Sequence, residues 1–169
     1  MAGRPRLLAL LALVTAGSAA GAGAGLTAFD LAGRYTHSFP NGTVDGDGYT
    51  STDRVSVVPL DARRAIIEIH TNFYNGHQCN IGGLATLEGD ALVTRDSGMN
   101  GYGDGGPCVL RLRHAGGRIT WNDEGSCSGY CGARGTLRGG GIAWSSRRPI
   151  SGAEQRRIRR DYRRSRARQ

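Results

Sequence analysis

The chain has 169 residues, a formal charge of +8 from 22 arginines against 14 acids, 28 glycines and no lysine. About 145 residues beyond the N-terminal stretch are enough to bury one core, so no second domain is required. The charge is unevenly placed: between Arg147 and Gln169 ten arginines meet only Glu154 and Asp161, whereas residues 26–146 carry ten arginines and twelve acids, which excludes a body that is basic throughout.

The first 25 residues read as a secretory signal peptide. Arg4 and Arg6 precede an apolar run from Leu7 to Val14, and small residues then offer cleavage sites ending at Ala22 or Ala24. The run falls well short of the roughly 20 residues of a spanning helix, and no later segment is as apolar. A lipoprotein needs a cysteine at the cleavage site, and the first cysteine is Cys79. The expectation is a soluble periplasmic or secreted protein, with residues 1–25 as signal peptide, 26–148 as one β-domain and 149–169 as a basic tail. Arginine in place of lysine, with abundant glycine and alanine, points to a GC-rich bacterial source.

From Leu31 to Trp144 the apolar period is short and close to two, the mark of half-buried strands. The segments in chain order are Gly33 to Phe39, Arg54 to Val58, Arg64 to Tyr74, His77 to Leu87, Ala91 to Asp96, Cys108 to His114, Arg118 to Asp123, Ala133 to Arg138 and Ile142 to Ser145. In Arg64 to Tyr74, Ile67, Ile69, Thr71 and Phe73 share one face, with Glu68, His70 and Asn72 on the other. Turn chemistry separates the strands at Asn75-Gly76, Glu88-Gly89-Asp90, Ala115-Gly116-Gly117 and Gly139 to Gly141. "DGDGYTSTD" reads as a flexible hairpin tip; it lacks the glycine and terminal acid of an EF-hand loop. The expected fold is all-β: an antiparallel up-and-down barrel of about eight strands, which removes exposed edges, or a two-sheet sandwich. The opening "AGRYTH" resembles the first strand of calycin-type barrels, with Tyr35 where those usually have Trp. Whether the interior is filled or holds a small ligand stays open, and the loop Ser97 to Pro107 reads either as a lid or as a plain connection.

Four cysteines, Cys79, Cys108, Cys127 and Cys131, in an exported chain point to two disulfides. Pairing of neighbours gives Cys127 with Cys131 and Cys79 with Cys108; a crossed pattern, Cys79 with Cys127 or Cys131, is the alternative. Zinc is disfavoured by the lack of a C-x-x-C knuckle, and a nucleophile elbow at Gly125-Ser-Cys127-Ser-Gly129 by the lack of a following helix. The stretch is scaffold first, with Tyr130 and Arg134 as a candidate binding loop. Histidines 37, 70, 77 and 114 form no ligand set, so no metal or other cofactor is expected. No carboxylate pair or Ser-His-Asp set can be assembled from spacing, and the expectation is a protein that is not an enzyme.

The tail "SGAEQRRIRRDYRRSRARQ" begins with Ser151 and Glu154 in a capping-box arrangement after Pro149, which predicts a helix from about Gly152. Ile158, Tyr162 and Gln155 share a face, a narrow stripe suited to loose docking. Arg156, Arg157, Arg159, Arg160, Arg163 and Arg164 are the candidate polyanion-binding residues, the alternative being a solvated helix that balances the acidic body.

The order "HQCNIGGLATLEGD", "PCVLRLRHAGG", "CSGYCGARGTL", "SRRPI" resembles a small exported β-domain of bacterial proteins, some labelled lysozyme-inhibitor-like. The C-x-x-x-C-G-A-R-G segment is its distinctive piece. The resemblance implies an exported, disulfide-bonded, non-enzymatic domain. The expectation is therefore a monomeric binding module for a small ligand, an envelope polyanion or a secreted protein. Inhibition of a cell-wall hydrolase such as lysozyme, and tail-mediated polyanion binding, are the alternatives.

Overall fold

The computed structural model describes residues 25–96, 107–124 and 127–167. The N-terminal stretch read as a signal peptide, apart from Gly25, and the glycine loop, apart from Pro107, lie outside the described residues. Eight strands follow one another as a single antiparallel meander: β1 (Gly33–Gly42), β2 (Gly48–Pro59), β3 (Arg64–Asn72), β4 (Gln78–Glu88), β5 (Ala91–Asp96), β6 (Cys108–Ala115), β7 (Arg118–Asp123) and β8 (Gly140–Ala143). The meander curls into a nearly closed barrel, in which Arg34 of β1 and Arg148 just after β8 exchange backbone hydrogen bonds of 2.8 Å. The barrel, not the sandwich, is the outcome.

Alternation decides which side chains enter. Tyr35, Val55, Val57, Ile67, Ile69, Ile81, Leu92, Leu110, Leu112, Ile119, Trp121 and Ile142 point inward and form one contiguous buried cluster, so the interior is packed with side chains. Trp121 needs the bare strand opposite it: a Cβ on its cross-strand partner Gly140 would stand 2.0 Å from the indole.

At the end where β1 begins, a set of local contacts joins the first strand to the last. Tyr35 donates its hydroxyl hydrogen bond to the Leu31 carbonyl at 2.9 Å, and its ring lies 5.3 Å from that of Trp144. Arg147 donates from Nε to the Ala32 carbonyl at 2.6 Å while its guanidinium lies 5.0 Å from the Trp144 ring centroid. The residues of "AGRYTH" thus open β1 with an inward aromatic, held from both termini of the barrel.

The opposite end is crossed by the cysteine loop. Cys79 is bonded to Cys131 and Cys108 to Cys127, so the neighbour pairing gives way to the alternative that joins Cys79 to Cys131, with the second bridge nested inside the first. The reason lies in the sheet. β4 pairs with β5 only over Ala85–Glu88; nearer its start, its free side is taken by the loop, through a Cys79–Cys131 bridge and a 2.8 Å bond from Gly132 N–H to the Gln78 carbonyl. Gly135 makes this close approach possible, because a Cβ there would lie 2.7 Å from Cys79 Sγ. Ala133 to Arg138, expected as a strand, is irregular backbone that sends Leu137 into the core. Two further boundaries moved. β2 begins at Gly48, so the hairpin tip is confined to the residues between Gly42 and Gly48, and β8 ends at Ala143 in a 3-10 turn over Trp144–Ser146.

Candidate polyanion-binding face

Helix α1 (Gly152–Arg166) forms where the tail predicts it. Ser151 caps it, its side chain accepting from Glu154 N–H at 3.3 Å, and Arg163, Arg164 and Arg166 in the last turn face the negative end of the helix dipole. Glu154 does not complete a capping box: its carboxylate faces Arg34 Nη2 across the barrel surface and lies 3.7 Å from Arg157.

The helix rests on the outer face of β2 and β3. Val58 and Ile66 point outward there and, with Ile150, cover Ile158, which is 1% exposed; Tyr162 packs at the edge. Gln155 donates to the Ile150 carbonyl at 3.0 Å and Arg159 to the Pro59 carbonyl at 2.7 Å. Arg157 sits between Glu68 at 3.2 Å and Asp161 at 3.1 Å. Burial works against its charge, but these two carboxylates hold the guanidinium above its ordinary value.

Docking therefore divides the six candidate arginines. Arg157 and Arg159 are consumed in holding the helix. Arg156, Arg160, Arg163 and Arg164 are exposed and have no acidic partner among the described residues. At 3.6 residues per turn these four fall within a sector of about 100° centred opposite Ile158, and they span about 12 Å of helix length. The result is a row of four guanidiniums carried on an ordered helix, each able to grip a phosphate or carboxylate through two N–H groups.

The other candidate loop is arranged differently. Tyr130 is half-buried, packed against the core, with its hydroxyl on the Asp96 carboxylate; burial first, then that hydrogen bond and charge, push its pKa well above the usual phenol range. Arg134, four residues further on, is exposed. The loop brings the two close in sequence but presents only the arginine.

A third surface was not singled out from the sequence. The tip between β1 and β2 is locked to the turn after β3: Tyr74 donates to the Thr43 carbonyl at 2.7 Å, Gly76 N–H to the Tyr49 hydroxyl at 3.0 Å, and Val44 N–H to Asn75 Oδ1 at 3.3 Å. Val44, Tyr49 and Tyr74 stand exposed there beside Asp45 and Asp47. The only sequence signal was a pair of tyrosines flanking turn residues.

No helix among the described residues is long and apolar enough to cross a membrane, and no metal-binding group of His, Cys, Asp or Glu occurs among them. These features define a class: a packed eight-stranded β-barrel with a cross-linked loop across one end and an arginine helix docked on its flank. No protein-family model matches the chain, and neither does any curated protein or solved structure.

Proposed function

We propose that the protein is an exported, non-enzymatic binding module that attaches through α1 to polyanions of the cell envelope, such as teichoic acid, anionic lipid or lipopolysaccharide. The observation that carries this reading is the row Arg156, Arg160, Arg163 and Arg164, unpaired on the outer face of a helix that is already folded and docked. A helix ordered in advance has little conformational entropy left to lose on binding. Two disulfides fit an oxidising compartment, and the N-terminal stretch supplies the route to it.

The test is retention on isolated bacterial envelopes across a salt series. Each arginine at an anionic surface contributes about 1 kcal/mol, so replacing all four by alanine lowers affinity roughly a thousandfold. Salt releases the wild type steeply, as counterion release requires. Retention of the quadruple variant equal to that of the wild type sinks the reading.

A second reading, contact with a basic cell-wall hydrolase, is supported by the acidic, aromatic tip. Aromatic rings tied down by their hydroxyls are suited to be interface anchors, and Asp45 and Asp47 complement a cationic partner. It predicts stoichiometric slowing of lysozyme that disappears in Tyr74→Ala; no slowing at any ratio ends it.

A further inference from the structure

The flank of α1 facing β4 overhangs a groove that the polyanion reading does not use. The register places Arg54 of β2, His70 of β3 and Asn80 of β4 side by side on the outer face. Cross-strand neighbours of this kind have Cβ atoms about 4.5–5.5 Å apart, so the three polar ends converge. In the next row Glu68 is paired with Gly82, which has no side chain, and α1 passes over the gap with Glu154 and Arg157. The outcome is a cavity of about 530 Å³ with a bare backbone floor.

Two arginines and two glutamates line this groove, but their pairing leaves one guanidinium over. Glu68 is taken by Arg157 and Glu154 by Arg34, while Arg54 has no hydrogen-bond or ion-pair partner among the described residues. Arg34 feels the neighbouring guanidiniums: its pKa is lowered, first by burial and then by Arg54 and Arg157, against the opposing pull of Glu68. Hydrogen bonding adds direction. Asn80 Oδ1 is occupied by His70 Nδ1, which leaves the two N–H groups of the Asn80 amide and the five of Arg54 to donate. No acceptor among the described residues pairs with them.

We infer that this groove binds a polar small molecule through an oxyanion group, a phosphate, sulfate or carboxylate held between Arg54 and the Asn80 amide. The oxyanion neutralises the unmatched guanidinium and accepts from the unused donors. The volume lies within the range of sites for small molecules, so the groove has room for the body that carries the anion. The site is separate from the arginine row of α1, which points away from the barrel.

The experiment is a titration of the full mature chain with inorganic phosphate, sulfate and acetate, followed by amide NMR. Saturable shifts centred on Arg54, His70 and Asn80 are expected with at least one of the three anions. Arg54→Ala, at an exposed side chain without partners, keeps the melting temperature and weakens that binding at least tenfold. The quadruple alanine variant of α1 leaves it unchanged. Absence of saturable shifts with all three anions, persistence in Arg54→Ala, or loss in the α1 variant would each overturn the inference, and the last of these would return the anion to the helix.

Discussion

Two segments without strand structure lie against the barrel, and they are held by opposite means. The loop from Cys127 to Leu137 is tied to β4 and β6 by covalent bonds and fills the end of the core; α1 is held on the flank by one fully buried isoleucine, a few hydrogen bonds and a chain of ion pairs. Glycine and cysteine make the loop compact enough to enter the barrel end, at the cost of side chains with which to contact a partner. The helix has side chains in plenty, and its attachment uses one face only. The cross-linked segment is therefore the structural element, while the segment held by weak contacts is the one with chemistry to offer.

The sharpest way to break this contrast is to remove a bond from each side. In the chain-entropy account, Cys79–Cys131, which closes a separation of 52 residues, contributes about 4 kcal/mol, and Cys108–Cys127, closing 19, about 3 kcal/mol. Cys79→Ala/Cys131→Ala is therefore expected to lower global stability by about 4 kcal/mol in urea unfolding, with every probe of the barrel moving together. Ile158→Ala removes most of the only apolar side chain of α1 that is fully buried, at a cost of about 3 kcal/mol. Hydrogen exchange checks where that cost falls: α1 amides lose protection while those of β5–β7 keep theirs. Equal loss in both would show that helix and barrel unfold as one unit.

Much of the barrel was legible because hydrophobic alternation is a local signal. Ala91 to Asp96 and Arg118 to Asp123 were bounded correctly, and hairpins fall at the turns Asn75-Gly76, Glu88-Gly89-Asp90 and Ala115-Gly116-Gly117, whereas Gly140 and Gly141, expected in a turn, lie in β8. The first half of β2 was missed because Tyr49 to Asp53 is polar on both faces and has no apolar period; its strand comes from pairing with β1. Ala133 to Arg138 misled in the other direction, since Leu137 alternates with polar residues in a segment shaped by Cys131 and Gly135. Connectivity of the cysteines was not legible either, because it depends on where β5 leaves β4. On α1 the Arg157–Asp161 pair has i,i+4 spacing, but the contact of Arg157 with Glu68 joins positions far apart in the chain. Which arginines are free was therefore decided by the fold.

The cross-linked end and the end where β1 begins each carry a tyrosine that resists ionisation. Burial pushes Tyr35 up to about 12, partly opposed by Arg147, and Tyr130 is raised further by burial and Asp96. In the unfolded chain both release their protons near pH 10. Above that pH the unfolded state binds fewer protons, so stability that is intact below pH 10 falls as pH rises, for Tyr35 until about pH 12. The slope is at most about 1.4 kcal/mol per pH unit for each tyrosine. Urea unfolding at stepped alkaline pH should show the decline, and Tyr130→Phe should remove one proton's share of it; a flat profile would mean that neither hydroxyl is kept neutral by the fold.

The smallest expected effects separate the helix's own stability from its docking. Ser151→Ala removes the cap and costs about 1 kcal/mol in any salt, because the lost hydrogen bond is local and the serine is uncharged. Glu154→Gln keeps the helix but leaves Arg34, whose guanidinium is partly buried, facing an amide, so about 1 kcal/mol is lost at low salt. Salt already weakens that pair in the wild type, so the gap between wild type and Glu154→Gln should narrow as salt rises, whereas the gap for Ser151→Ala should stay constant. Exchange protection of α1 amides across a salt series reads both. If the two gaps behave alike, the Glu154–Arg34 pair contributes nothing to docking, which is then left to Ile158, the hydrogen bonds of Gln155 and Arg159 and the Arg157 pair with Glu68.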